Sequence, residues 1–198
     1  MPTTENIPQD IQLLQRYLDG DQEAFAALID LYRNELYNFL ARFTGDPALA
    51  EDIFQETFLQ LHLSAALFDQ SKRLKPWLFT IAANKARDAL RSRSRRRAVS
   101  LDVAVDSSAE SISYGHLIPS DVPAPEESLS NLEVQEAVQN IVDEMPEHLR
   151  VVLLMSYFHG MPYKEIAEIL DAPLGTIKSR IHAAVSLFAQ KWRASAKR

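Results

Sequence analysis

Between Met161 and Ala184 the chain reads MPYKEIAEILDAPLGTIKSRIHAA, two short amphipathic stretches on either side of a break at Asp171 to Leu174. Ile166, Ala167, Ile169 and Leu170 share the inner face of the first stretch, and Ile177, Ile181, Ala184, Val185 and Phe188 recur at helical spacing in the second. At about 100° per residue, the second helix turns Thr176, Ser179, His182 and Ala183 away from that stripe, with Lys178 and Arg180 on its flanks. Small polar groups set between cations are what a helix needs to meet the base edges and phosphates of a DNA duplex. This is the pattern of a helix-turn-helix. A solvated helical hairpin has the same spacing, so the pattern by itself leaves both readings open.

Two further rows carry chemistry. In AEDIFQETFLQLH, which begins at Ala50, one side holds Ala50, Ile53, Phe54, Thr57, Phe58 and Leu61, and the other Asp52, Gln55, Glu56, Leu59 and Leu63. Leucines beside carboxylates fit a docking surface, but packing beneath a neighbouring helix is the more ordinary use of such residues. In WLFTIAANKARDALR, from Trp77, the inward set is Leu78, Phe79, Ala82, Ala86, Ala89 and Leu90. Trp77, Thr80, Asn84, Arg87 and Arg91 line the opposite side. An aromatic, an amide and guanidinium groups in one row suit stacking, base-edge bonding and phosphate neutralisation. Trp77 near a helix start also fits a core anchor, and the SRSRRR that follows suits the negative end of a helix dipole.

The elements that must position these rows can be read from start and stop chemistry. A first helix spans Pro8 to Leu18 and ends at Gly20. Asp21 caps a second from Ala24 to Phe43, which stops at Gly45. Asp46 and Pro47 open a third that runs to about Leu67. After the polar loop Asp69 to Lys75, Pro76 opens a fourth that extends to about Arg97. Helical spacing lapses over 98–130, a serine- and proline-bearing stretch with six acids and no base, read as a flexible linker. It resumes at Leu132 and continues past Pro146 to Phe158. The expectation is an all-α protein of two small helical domains, 8–97 and 131–194, joined by the acidic linker 98–130.

Composition narrows the function classes. No apolar run approaches the ~18 residues that cross a bilayer, and acids and bases interrupt the first thirty positions, so no membrane insertion and a cytoplasmic location are expected. The chain has no cysteine, and its five histidines show no ligand spacing, so neither a metal nor another cofactor is expected. No phosphate-cradling glycine loop and no nucleophile with a nearby base stands out, so an enzyme is not expected. The formal charge of -6 is unevenly spread: residues 1–84 carry -6, 85–97 carry +6, 98–130 carry -6 and 131–198 carry 0. One basic patch between acidic regions predicts weak binding to bare DNA. A free-standing helix-turn-helix regulator that binds duplex as a dimer and a helical adaptor are the rival readings.

Taken together, the three motifs resemble the sigma-70 family of bacterial RNA polymerase sigma factors, in its short extracytoplasmic function (ECF) group. AEDIFQETF resembles the family's polymerase-binding helix, WLFTIAANKARDALR its minus-10 and promoter-melting helix, and MPEHLRVVLLMSYFHGMPYKEIAEILDAPLGTIKSRIHAA its minus-35 domain. The resemblance implies that Asp52, Gln55, Glu56 and Leu59 grip the clamp helices of the polymerase's largest subunit. It implies that the loop with Asp69, Gln70, Ser71, Lys72, Arg73 and Lys75 captures a flipped minus-10 base, with Trp77, Asn84, Arg87 and Arg91 as further strand or duplex contacts. Thr176, Lys178, Ser179, Arg180 and His182 then match the recognition helix in the minus-35 major groove. The implied partners are core RNA polymerase, including its beta-flap, promoter DNA and an anti-sigma protein. Ala183 and Val185 depart from the basic residues usual there, Thr80 replaces a common arginine, and Pro162 takes the place of a serine or threonine cap.

Overall fold

The computed structural model describes the backbone of residues 7–100 and 125–195, and the side chains of 7–96 and 134–195. Among the described residues there are helices and no strands. The first domain holds α1 (Gln9–Leu18), α2 (Gln22–Thr44), α3 (Pro47–Ser64) and α4 (Leu74–Ser100); the second holds α5 (Pro125–Asp143), α6 (Glu147–Leu153), α7 (Tyr163–Ile169) and α8 (Leu174–Ser195).

Cap chemistry sets several boundaries. The Asp21 side chain accepts from the amides of Glu23 and Ala24 at the start of α2, and Gly45, at φ 66°, ends that helix in the left-handed region. Asp46 repeats the cap at α3 by accepting from Ala48 and Leu49, and Pro47 fills the first turn, where a missing N–H costs nothing. Asp46 also receives Arg93 Nη1 of α4 at 2.6 Å, so one carboxylate serves two helices. Asp46→Ala is expected to lower stability by about 1–2 kcal/mol, the usual worth of a lost cap, read as an earlier urea midpoint.

The four helices of the first domain enclose Leu14, Leu28, Leu36, Leu40, Leu61 and Leu78, with Phe39, Phe43 and Phe79 at the centre. Phe39 stacks on Phe43 at 5.6 Å between centroids and meets Phe79 at 5.4 Å. In the second domain Val142, Val152, Leu154, Met155, Ile166, Ile177 and Ala184 form the buried centre. There α6 passes into a short π-helical turn, Leu154–Phe158, before α7. The α7–α8 turn is made at Asp171, whose φ of 45° is a left-handed conformation that aspartate tolerates better than most residues.

Several expected boundaries move. The fourth helix opens at Leu74 rather than Pro76, because Leu74 is wholly buried and draws the preceding turn into the helix. Lys75 therefore stands in a first turn, not in the loop. The second helix opens at Gln22 rather than Ala24, as Asp21 caps it directly. Helical spacing does not run unbroken past Pro146: α5 stops at Asp143, and Pro146, which lacks an N–H, starts α6. Helix also reaches into both ends of the span read as linker, since α4 runs to Ser100 and α5 opens at Pro125. The remainder of that acidic stretch, 101–124, lies outside the described residues.

The two domains pack on one another, with α4 against α7 and α2 against α5 and the π-helical turn. Aromatic and cationic groups make the junction: the Arg42 guanidinium lies 4.6 Å from the ring centre of Phe158, and that of Arg150 lies 5.9 Å from Phe43. Asp143 comes up against Gly45, where a side chain on the glycine would meet its carboxylate at 3.4 Å.

Candidate functional site

On α3 the inner face is filled by Ile53, Phe54, Thr57, Phe58 and Leu61, and the Thr57 hydroxyl donates to the Ile53 carbonyl at 2.7 Å. That leaves Asp52, Gln55 and Glu56 in solvent. Beside them Leu59 is 57% exposed and Leu63 68% exposed. The more ordinary arrangement, in which such leucines pack under a neighbouring helix, is therefore not adopted. Gln55 Nε2 donates to Glu51 Oε1 at 2.9 Å, and Lys85 of α4 reaches Glu56 at 3.1 Å. The row is anionic and apolar together, and its backbone is held rigid by the packed side.

The loop before α4 is shaped by Asp69, whose Oδ1 accepts from both the amide and the hydroxyl of Ser71, at 3.1 and 2.7 Å. Those bonds hold its carboxyl below the usual range. Gln70 accepts from Gln15 of α1 at 2.9 Å. Gln70, Ser71 and Lys72 are exposed. Arg73 is also largely exposed, but its tip is engaged: Nη1 lies 2.6 Å from Glu165 and Nη2 lies 3.6 Å from Glu168, both on α7. Lys75 pairs with Glu35 of α2 at 2.6 Å.

Along α4, Asn84 and Arg91 are exposed and Arg87 is half-buried. Burial lowers the Arg87 guanidinium, Glu147 opposes this, and Arg91 and Arg180 reinforce it. Arg180 belongs to α8, so the cationic rows of the two domains come near enough to repel. Trp77 does not stand free for stacking: it is half-buried, and its ring lies 4.8 Å from Phe68. Its indole completes an intramolecular pair, in keeping with the core-anchor alternative.

On α8, Lys178, Ser179 and His182 are exposed, while Thr176 and Arg180 are half-buried. The Ser179 hydroxyl donates to the Thr176 carbonyl at 2.9 Å. Val185 leaves the inner stripe and is exposed, because Ile177, Ile181 and Ala184 already fill the contact with the domain core. At α7, Pro162 supplies no side-chain cap, and its backbone carbonyl accepts from Ile166 at 3.1 Å instead. The structure thus sets Arg87 of the α4 row within electrostatic reach of Arg180 on α8, and keeps Asp52, Gln55 and Leu59 of α3 in solvent.

Two contributors were not readable from spacing. Glu165 sits 92 positions from Arg73 and is only 5% exposed, and His159 enters the first domain from the loop after the π-helical turn. Both lie inside the stretch that resembles the minus-35 domain, but its spacing gives neither a role, and only the docking of the domains reveals one. Among the described residues, no group of His, Asp and Glu could hold a metal ion, and no helix is long and apolar enough to cross a membrane.

Residues 28–96 match the family described as Sigma-70 region 2, and residues 135–187 match Sigma-70, region 4. The chain is 32% identical to the ECF RNA polymerase sigma factor SigW of Bacillus subtilis (strain 168), over 82% of this chain and 86% of that one. The chain belongs to the sigma-70 family, as an ECF sigma factor. The sigma factor is also 33% identical to the RNA polymerase sigma-H factor of Pseudomonas aeruginosa, over 89% of this chain and 90% of that one. Against the ECF sigma-E factor of Haemophilus influenzae it is 32% identical over 92% and 94% of the two chains. The same fold is found in the sigma factor RpoE solved with the anti-sigma factor NepR from Bartonella quintana, at TM-score 0.66 and 22% identity over 85% of this chain and 96% of that one. It is found again in CnrH, solved with the cytosolic domain of CnrY, at TM-score 0.67 and 21% identity over 94% and 99%. As an ECF sigma factor, the protein directs promoter-specific initiation together with core RNA polymerase and promoter DNA.

Proposed function

We propose that this sigma factor divides its work between the domains 8–97 and 131–194, and performs it without catalysing a reaction itself, in the cytoplasm. The observation that carries the reading is the solvent-facing row Asp52, Gln55, Glu56 and Leu59 on a helix whose other side is fully packed. Such a row offers carboxylates and apolar surface together, which suits the clamp helices of the polymerase. The loop Asp69 to Arg73, with Lys75, Asn84, Arg87 and Arg91, then receives the minus-10 strand, where capture of an unstacked base shifts the duplex toward the open state. Trp77 contributes by propping Phe68 and the end of that loop. Thr176, Lys178, Ser179, Arg180 and His182 face the minus-35 duplex.

An anti-sigma protein is a further partner of the same surfaces, supported by the similarly folded sigma factor RpoE, which was solved with the anti-sigma factor NepR. Run-off transcription by purified core polymerase, with and without this protein on templates drawn from the genome, tests the whole reading, and silence on every template contradicts it. At the minus-35 surface, Lys178→Ala with Arg180→Ala is expected to weaken promoter-complex formation by roughly tenfold or more and to reduce the salt slope by about two. Core-polymerase binding should not change. An unaltered salt slope would remove both cations from the phosphate contacts.

A further inference from the structure

His159 is a residue of the second domain buried in the first. It follows the π-helical turn, and only 7% of its side chain is exposed. Its ring meets Phe39 of α2 edge-on at 5.8 Å and Phe79 of α4 at 6.1 Å. Nδ1 lies 3.8 Å from Glu35, whose charge is already met by Lys75 at 2.6 Å. Nε2 is buried with no hydrogen-bond partner among the described residues. Phe158, next to it, sits under the Arg42 guanidinium.

A cleft of about 260 Å³ runs beside this junction, and its walls include Asp10, Tyr32, Arg73, Lys75, His159 and Glu165. Every charge in it has a partner that the fold supplies, whereas Nε2 of the histidine has none among the described residues. Tyr32 donates to Asp10 at 2.6 Å, Arg73 holds Glu165, and Lys75 holds Glu35. The imidazole fits there as a neutral ring between two phenylalanines, with Lys75 and Arg42 close by.

We propose that His159 is a proton-sensitive wedge that locks the two domains together at neutral pH and releases them on acidification, returning Arg73 from Glu165 and Glu168 to solvent. The release is a property of the domain junction and does not depend on which residues read DNA.

A third positive charge beside Lys75 and Arg42, in a slot lined by aromatic rings, is opposed by desolvation and by repulsion. Burial first, then Lys75 and Arg42, bring the imidazole down to about 4 from its ordinary 6.5. In the parted domains the ring is solvated and regains its ordinary value. Closure is thus fully supported above pH 6.5 and weakens as the pH falls from 6.5 toward 4. Between pH 7.5 and 5 the ratio of closed to open protein falls about 30-fold. Asp143, pushed up by burial against the first domain, takes up a proton in the opposite sense, so the histidine's part is the difference between two proteins that both keep Asp143.

The chain has no cysteine of its own, so Ala26→Cys and Ser186→Cys, at exposed positions on α2 and α8, accept a donor and acceptor dye in the full-length protein. The expected result is a single short interdomain distance at pH 7.5 that gives way to a longer, broader one at pH 5, with helicity by circular dichroism unchanged. His159→Gln should keep one distribution at both pH values. The proposal is overturned by an unmoved distance in the parent protein, by the same shift in His159→Gln, or by helix loss in step with the shift. If His159→Gln is open at both pH values, the parent's imidazole NMR signal decides. Protonation in step with opening supports the wedge, and a ring still neutral in the open form overturns it.

Discussion

Asp52→Ala combined with Gln55→Ala is expected to lower core-polymerase binding by roughly tenfold to a hundredfold, the range for truncating two side chains central to an interface, the place the proposed function gives them. The size of the effect follows from position. Both side chains project from a helix anchored on its other side by Ile53, Phe54 and Phe58, so a partner would meet them with little ordering cost. Stability should hardly change, by less than about 0.5 kcal/mol, because neither group touches the core. Gln55 gives up only a surface bond to Glu51, and Asp52 makes none that helps the fold. Titration of labelled core polymerase with the variant, alongside its urea melt, checks both halves. Binding that stays intact while the fold stays intact removes this row from the interface.

Phe79→Ala is expected to destabilise the first domain by about 3–5 kcal/mol. Its ring is fully buried, packs on Phe39 at 5.4 Å, and receives Lys75 Nζ at 5.9 Å from its centre. It also forms one wall of the slot that takes His159, at 6.1 Å. Against a typical total of ~5–15 kcal/mol, such a loss leaves a measurable unfolded fraction at ordinary temperature. It should also part the domains at neutral pH, which the dye pair would register. A urea midpoint shifted by less than the equivalent of about 1 kcal/mol would mean that the neighbours collapse into the space.

Local chemistry was readable wherever a residue acts on its own neighbours. Asp21, Gly45, Asp46 and Pro47 set their helix ends through contacts two to four positions away, and the sequence contains both partners. The outward rows of α3 and α8 were likewise readable, since periodicity alone puts Asp52, Gln55, Ser179 and His182 opposite the apolar stripe. What could not be read depends on tertiary packing. Leu74 extends α4 backward because the core takes its side chain, overriding the proline signal two residues later. Trp77 turns in because Phe68 is there to receive it, and Val185 turns out because Ala184 already occupies the line of contact. Arg73 and Lys75 look like free cations in the sequence, yet each has an acidic partner that only the docked helices supply.

Two bridges join α3 to α4: Asp46 to Arg93 near one end, and Glu56 to Lys85 along the length. Between them the helices share buried packing, with Ile53, Phe54 and Phe58 of α3 and Ala82, Ala83 and Ala86 of α4 in the core. A torque applied at the outer carboxylates of α3 is therefore carried to Asn84 and Arg87 without slack, as through a braced beam. Under the proposed roles of these rows, grasping the enzyme and aligning the separated strand would become a single displacement.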